Sequence, residues 1–171
     1  MALAGAASIA IDVSMTPAEQ ALVSCVRQTL KRIYEPRLES LKIDGSRPRL
    51  SLFDLLERCD ANIASKQSAN GMTIAAHVHH LSTGLYDVNE LLMGEPDTLH
   101  DQTNWCKSVN NEQWRALVSE LKRRYYEVQG WLSFEFDLPY GSSETYLFEL
   151  GFTLVEHASY HLGALEQWLG V

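Results

Sequence analysis

The feature that most constrains this chain is the spacing of its apolar residues, which return at three- and four-residue steps almost from end to end. That is the period of an α-helix turning one face to a core, and no segment keeps the every-second-residue alternation of a half-buried strand. No internal repeat or low-complexity run interrupts it. The sequence therefore predicts an all-α protein.

Punctuation divides the pattern into elements. Thr16-Pro17-Ala18-Glu19 supplies a cap, a proline at the first helical position and a capping-box glutamate. Leu22, Val26, Leu30 and Ile33 then share a face until Pro36. Asp44-Gly45-Ser46 and Pro48 read as loop, and a shorter helix is expected from Leu52 to about Ser65. The next long helix should run from about Thr73 to Met93, with Ile74, Val78, Leu81, Leu85, Val88 and Leu92 as its stripe, and stop at Gly94-Glu95-Pro96. A polar connection to about Asn110 is long enough to cross a bundle end. Trp114, Leu117, Val118, Leu121, Tyr125, Val128 and Leu132 mark another helix. After Leu138-Pro139-Tyr140-Gly141, Ser142 or Ser143 should cap the last one. Four long amphipathic helices and one short extra helix predict a four-helix bundle. A chain of 171 residues suits one core, so 15–171 is expected to form one domain, with 1–14 as a flexible arm.

Charge and cysteine usage exclude several functions. A net charge of -8 disfavours nucleic acid, whose phosphates require concentrated Lys and Arg; Lys122-Arg123-Arg124 reads as a solvated helix face. The apolar start M-A-L-A-G-A-A-S-I-A-I is too short to span a bilayer and lacks the positive flank of a secretory signal. The widely spaced Cys25, Cys59 and Cys106 fit neither a disulfide framework nor a CxxC metal site, which points to a reducing cytoplasm and to cysteines that pack rather than react. The partner expected is a small molecule, not a nucleic acid or membrane, and a homodimer is compatible with the sequence.

Histidine placement is the positive signal. In V-E-H-A-S-Y-H-L-G-A-L-E-Q-W, His157 and His161 stand at i and i+4, one turn apart beside the stripe of Leu147, Gly151, Leu154, Ala158, Leu162, Leu165 and Trp168. By itself such a pair reads as buried, hydrogen-bonded histidines or an exposed coincidence more readily than as a metal site. A-A-H-V-H-H-L then puts His77, His79 and His80 on the other strongly apolar helix. At 100° per residue His77 lies nearest the core, His80 on the flank and His79 outward; His79 and His100 read as solvent residues. Three imidazoles from facing helices, with one position open, suit zinc or a similar divalent ion in a catalytic role. Periodicity alone ranks His77 above His80 as the third ligand.

M-T-I-A-A-H-V-H-H-L and H-A-S-Y-H-L-G-A together resemble the second- and fourth-helix segments of the DinB or YfiT-like superfamily of metal-dependent proteins. The order of the long helices from about Met15 to Val171 agrees. The resemblance implies a four-helix bundle with a crossover connection and a three-histidine site for nickel, zinc or another divalent ion. Its ligands fall on His80, His157 and His161, with Thr73 and Ile74 matching the start of the first motif; His77, which periodicity favours, stays as the alternative to His80. It also implies thiol or small-electrophile chemistry, since the family includes transferases and isomerases using low-molecular-weight thiols such as bacillithiol or mycothiol; a hydrolase is the related expectation. The competing class is a non-enzymatic metal-binding or stress-response bundle acting through association.

Around the ligands, Gly84 leaves room above the ion. Asp87, a turn further, is the one candidate proton acceptor, set against its reading as a solvated carboxylate. Tyr160 turns about 100° from the ligand face, a packing position, and Glu156 farther still. Trp105, Trp114, Trp131 and Trp168 are expected in the core, or else lining a pocket or dimer face.

Overall fold

A computed structural model describes residues 15–36, 50–68, 71–92, 108–133 and 144–171, leaving aside the side chains of 89–92 and 144–148. Among these residues there are six helices: α1 (Pro17–Tyr34), α2 (Leu52–Glu57), α3 (Ala61–Ala64), α4 (Ile74–Leu92), α5 (Asn111–Trp131) and α6 (Glu144–Leu169). No strand occurs among them, only an isolated bridge between Gln67 and Thr73. No helix among them is long and apolar enough to cross a membrane.

Local chemistry fixes the helix starts. Thr16 Oγ1 accepts the Glu19 backbone N–H at 3.2 Å, and Glu19 Oε2 accepts the Thr16 N–H at 2.6 Å, the reciprocal box the sequence predicts. Asn110 and Gln113 make the same exchange ahead of α5, at 2.9 Å each way. The expected single helix from Leu52 to about Ser65 is instead two. Asp60, in extended conformation, accepts the Ile63 N–H at 2.8 Å and so caps a fresh start, which separates α3 from α2. Serine caps at 142 or 143, Trp105, Cys106 and His100 lie outside the described residues, as do the N-terminal arm and the Asp44–Pro48 loop.

The stripes meet in one core. Val26, Leu30 and Ile33 of α1, Ile74, Val78, Leu81 and Leu85 of α4, Leu121, Tyr125 and Val128 of α5, and Leu154, Ala158, Leu162 and Leu165 of α6 are all buried. On α1, Val23 is buried and Leu22 only partly so. α4 packs most extensively on α5 and α1 on α6, while α4 meets α6 over a shorter stretch. At one end Tyr34 stacks on Tyr125 with centroids 4.5 Å apart, Phe53 sets an edge against both, and the Tyr125 hydroxyl donates to Glu35 at 2.7 Å. At the start of α5 the buried Trp114 indole donates to the Cys59 carbonyl at 2.8 Å.

The basic cluster is neutralised in place. Arg123 pairs with Glu120 and Glu127, Lys122 with Glu57, and Arg124 with Glu120 while its guanidinium covers the Tyr86 ring at 4.3 Å. Of the cysteines, Cys59 is buried with its thiol toward the Leu55 carbonyl, as expected, but Cys25 is exposed and does not pack.

Candidate metal centre

α4 begins after a turn in which Gly71 takes φ +81°, a left-handed conformation that favours glycine. Thr73 Oγ1 then accepts the Ala76 N–H at 3.0 Å, so the helix starts where the histidine motif begins. α6 carries the other motif and runs antiparallel to α4 along their contact: His77 faces His161 and Trp168, His80 faces His157 and His161, and Gly84 meets His157.

This register draws together His80, His157 and His161, one ring nitrogen of each lying within 4.8 Å of those of the other two. The closest pair is His157 Nε2 and His161 Nε2 at 3.1 Å. Two imidazoles on one tetrahedral zinc, with Zn–N of about 2.0–2.1 Å, stand about 3.3 Å apart, so the i, i+4 pair already has close to the required separation. His161 is buried, whereas His80 and His157 are half-buried, which places the group at the edge of the core. Three imidazoles this close together could hold a divalent metal ion.

His77 does not belong to the group. It is buried behind it, and its Nδ1 lies 2.8 Å from Nδ1 of His161. The flank position that the resemblance assigns to His80 is thus the one that faces the other two rings. His79 is half-buried rather than fully in solvent.

The site holds its imidazoles neutral. Burial pushes the His161 pKa down to about 3, with neighbouring His157, His77 and His80 adding to the effect. Burial, then the neighbouring His80, likewise lowers His77 and His157. At His80, burial and His79 lower the value and Asp87 opposes them. Asp87 is therefore close enough for its charge to be felt at His80. Neutral imidazoles at pH 7 keep lone pairs available for a metal.

At Gly84 the structure shows a close approach to His157. A Cβ there would lie 3.1 Å from His157 Cε1, so the missing side chain makes room for the His157 ring. Tyr160 is 66% exposed, with its ring edge-on to His161 at 5.0 Å; it borders the site from outside instead of packing in the core. Trp168 packs against His77, centroids 6.2 Å apart, and Trp131 is half-buried. The contact between His77 and His161 is the feature that sequence reasoning missed. Its signal was the position of His77 nearest the middle of the apolar stripe. Comparison with protein-family models, curated proteins and solved structures found no match to this chain.

Proposed function

We propose that this chain is a divalent-metal-binding four-helix bundle of the DinB-like type, acting on a small molecule as a metal-dependent thiol transferase, isomerase or hydrolase. The observation that carries the metal reading is the convergence of His80, His157 and His161 from two helices. Among the described residues no fourth histidine, cysteine or carboxylate joins them, which supports a catalytic rather than a closed structural arrangement.

Several contacts support the bundle and its crossover. Ser65, shortly before α4, bonds Val109, just before α5, in both directions. Farther along, Tyr86 of α4 lies under Arg124 of α5 at a similar depth. Two helices that begin at one end and run the same way need a connection that crosses the bundle between them.

A bound zinc or nickel ion supplies Lewis acidity toward a thiol, a water or a carbonyl. The chain does the rest. His80, His157 and His161 offer neutral nitrogens, Gly84 gives the His157 ring its space, and Asp87 is the candidate proton acceptor beside His80. A low-molecular-weight thiol is the proposed co-substrate, and a cytoplasmic setting is the one in which such thiols stay reduced. A second reading, a non-enzymatic bundle acting through association or as a homodimer, draws on Phe152 and Tyr160, 60% and 66% exposed on α6.

The first test is elemental analysis of the chain purified without chelators, beside His161→Ala. About one equivalent of divalent metal in the wild type and far less in the variant is expected, followed by activity in a thiol-transfer and hydrolysis screen. A wild type that takes up neither zinc nor nickel would return these histidines to the core.

A further inference from the structure

Both ring nitrogens of His161 are engaged: Nδ1 meets His77 Nδ1 at 2.8 Å, and Nε2 points to His157 Nε2 at 3.1 Å. A 2.8 Å approach of two imidazole nitrogens is a hydrogen bond only when one carries a proton and the other offers a lone pair. Which ring donates decides what His161 can do. If His77 donates, Nδ1 of the neutral His161 is an acceptor, its own proton sits on Nε2, and it has no lone pair for a metal. If His161 donates, Nε2 is free to ligate.

We propose that His77 is a positioning residue for the site: its Nδ1 accepts the Nδ1–H of His161 and fixes the tautomer that turns the Nε2 lone pair toward His80 and His157. The inference rests on the metal reading above and assigns His77 a role distinct from ligation. A ligating histidine ordinarily hands its second N–H to a carboxylate, a carbonyl or water, which sets both ring orientation and basicity. Here an imidazole takes that part. Its surroundings suit it to the task. His77 is buried among the apolar residues of α4, and its backbone N–H bonds the Thr73 carbonyl at 3.1 Å. The Trp168 indole from the far end of α6 packs nearly perpendicular to its ring, at 84°. The acceptor is thereby held by the same two helices that supply the ligands.

The geometry also explains why the two motifs differ. The α6 pair is spaced at i, i+4 so that both rings reach one point. The α4 pair, His77 and His80, is spaced at i, i+3 so that one ring reaches that point and the other the back of His161.

The test measures zinc affinity by competition with a chromogenic chelator for the wild type, His77→Phe, His77→Asn and His157→Ala, with circular dichroism as the check on folding. Phe fills the space without an acceptor; Asn returns an acceptor oxygen close to the Nδ1 position. We expect His77→Phe to lose about 10–100-fold in affinity and His77→Asn to stay within about threefold of the wild type. Long-range 1H–15N spectra of the zinc-loaded wild type should place the His161 proton on Nδ1 and the His77 proton on Nε2. Wild-type affinity in His77→Phe, alongside a loss in His157→Ala, overturns the role while leaving the metal site standing. A His77 proton on Nδ1 overturns it as well, and that spectrum decides alone if His77→Phe does not fold. A wild type that takes up neither zinc nor nickel removes the metal reading and this role with it.

Discussion

A methyl group at position 84 would crowd the His157 ring at 3.1 Å, while alanine is the better helix former by about 1 kcal/mol. The two effects act on different observables. For Gly84→Ala we expect a metal-free melting temperature equal to or above that of the wild type and a zinc affinity several-fold weaker; unchanged affinity would show that His157 yields freely. Protons provide a second check at this scale. Above the ordinary imidazole value of 6.5 neither the folded nor the unfolded chain carries charge on His77, His80, His157 or His161, and stability is at its full level. As pH falls from 6.5 toward the value of about 3 at His161, the unfolded chain takes up protons that the folded site excludes, so stability declines. Urea midpoints of the metal-free protein should therefore drop between pH 7 and pH 5. The identity of the three converging residues was legible in the sequence because two short motifs carried it. The partner of His161 was not, because periodicity reports how close a residue lies to the core and not which atom it meets there.

Among the elements, the α1–α6 contact is the tightest against glycine. A Cβ on the buried Gly151 would come 2.7 Å from Val26 Cγ2, closer than packed atoms tolerate. Overpacking of about 1–3 kcal/mol outweighs alanine's helix gain of about 1 kcal/mol, so Gly151→Ala should cost up to about 2 kcal/mol. Val26→Ala combined with it should recover part of that loss, so that the double variant is more stable than the sum of the singles; strict additivity would place the strain elsewhere. The helix start at Pro17 was readable because its capping box is local chemistry, whereas the Asn110–Gln113 box ahead of α5 emerged only in the structure. The break between α2 and α3 was hidden for a related reason. Asp60 can sit on the face of a continuous helix or cap a new one, and only its bond to the Ile63 N–H shows the second. Likewise the stacking of Tyr34 on Tyr125, with Phe53 across their edges, joins three elements that no single periodic stripe connects.

For the molecule as a whole, Trp114 couples the α2–α3 turn to α5 through its bond to the Cys59 carbonyl. Trp114→Phe leaves that buried carbonyl without its indole donor and should cost about 1–3 kcal/mol. A lower urea midpoint at an unchanged denaturant slope would confirm a loss confined to stability. The all-helical class followed from periodicity alone, whereas the pairing of helices depends on contacts between residues far apart in the chain, such as Ser65 with Val109 and Gly84 with His157. The antiparallel meeting of α4 and α6 has a further consequence. A chain in which α6 has formed but α4 has not yet docked offers two imidazoles on one helix; the third arrives only when the two helices come into register. If these three histidines hold a metal as proposed, full-affinity uptake is a clock on folding, and a colour change on adding cobalt to refolding chains would time the moment at which the two halves of the sequence find each other.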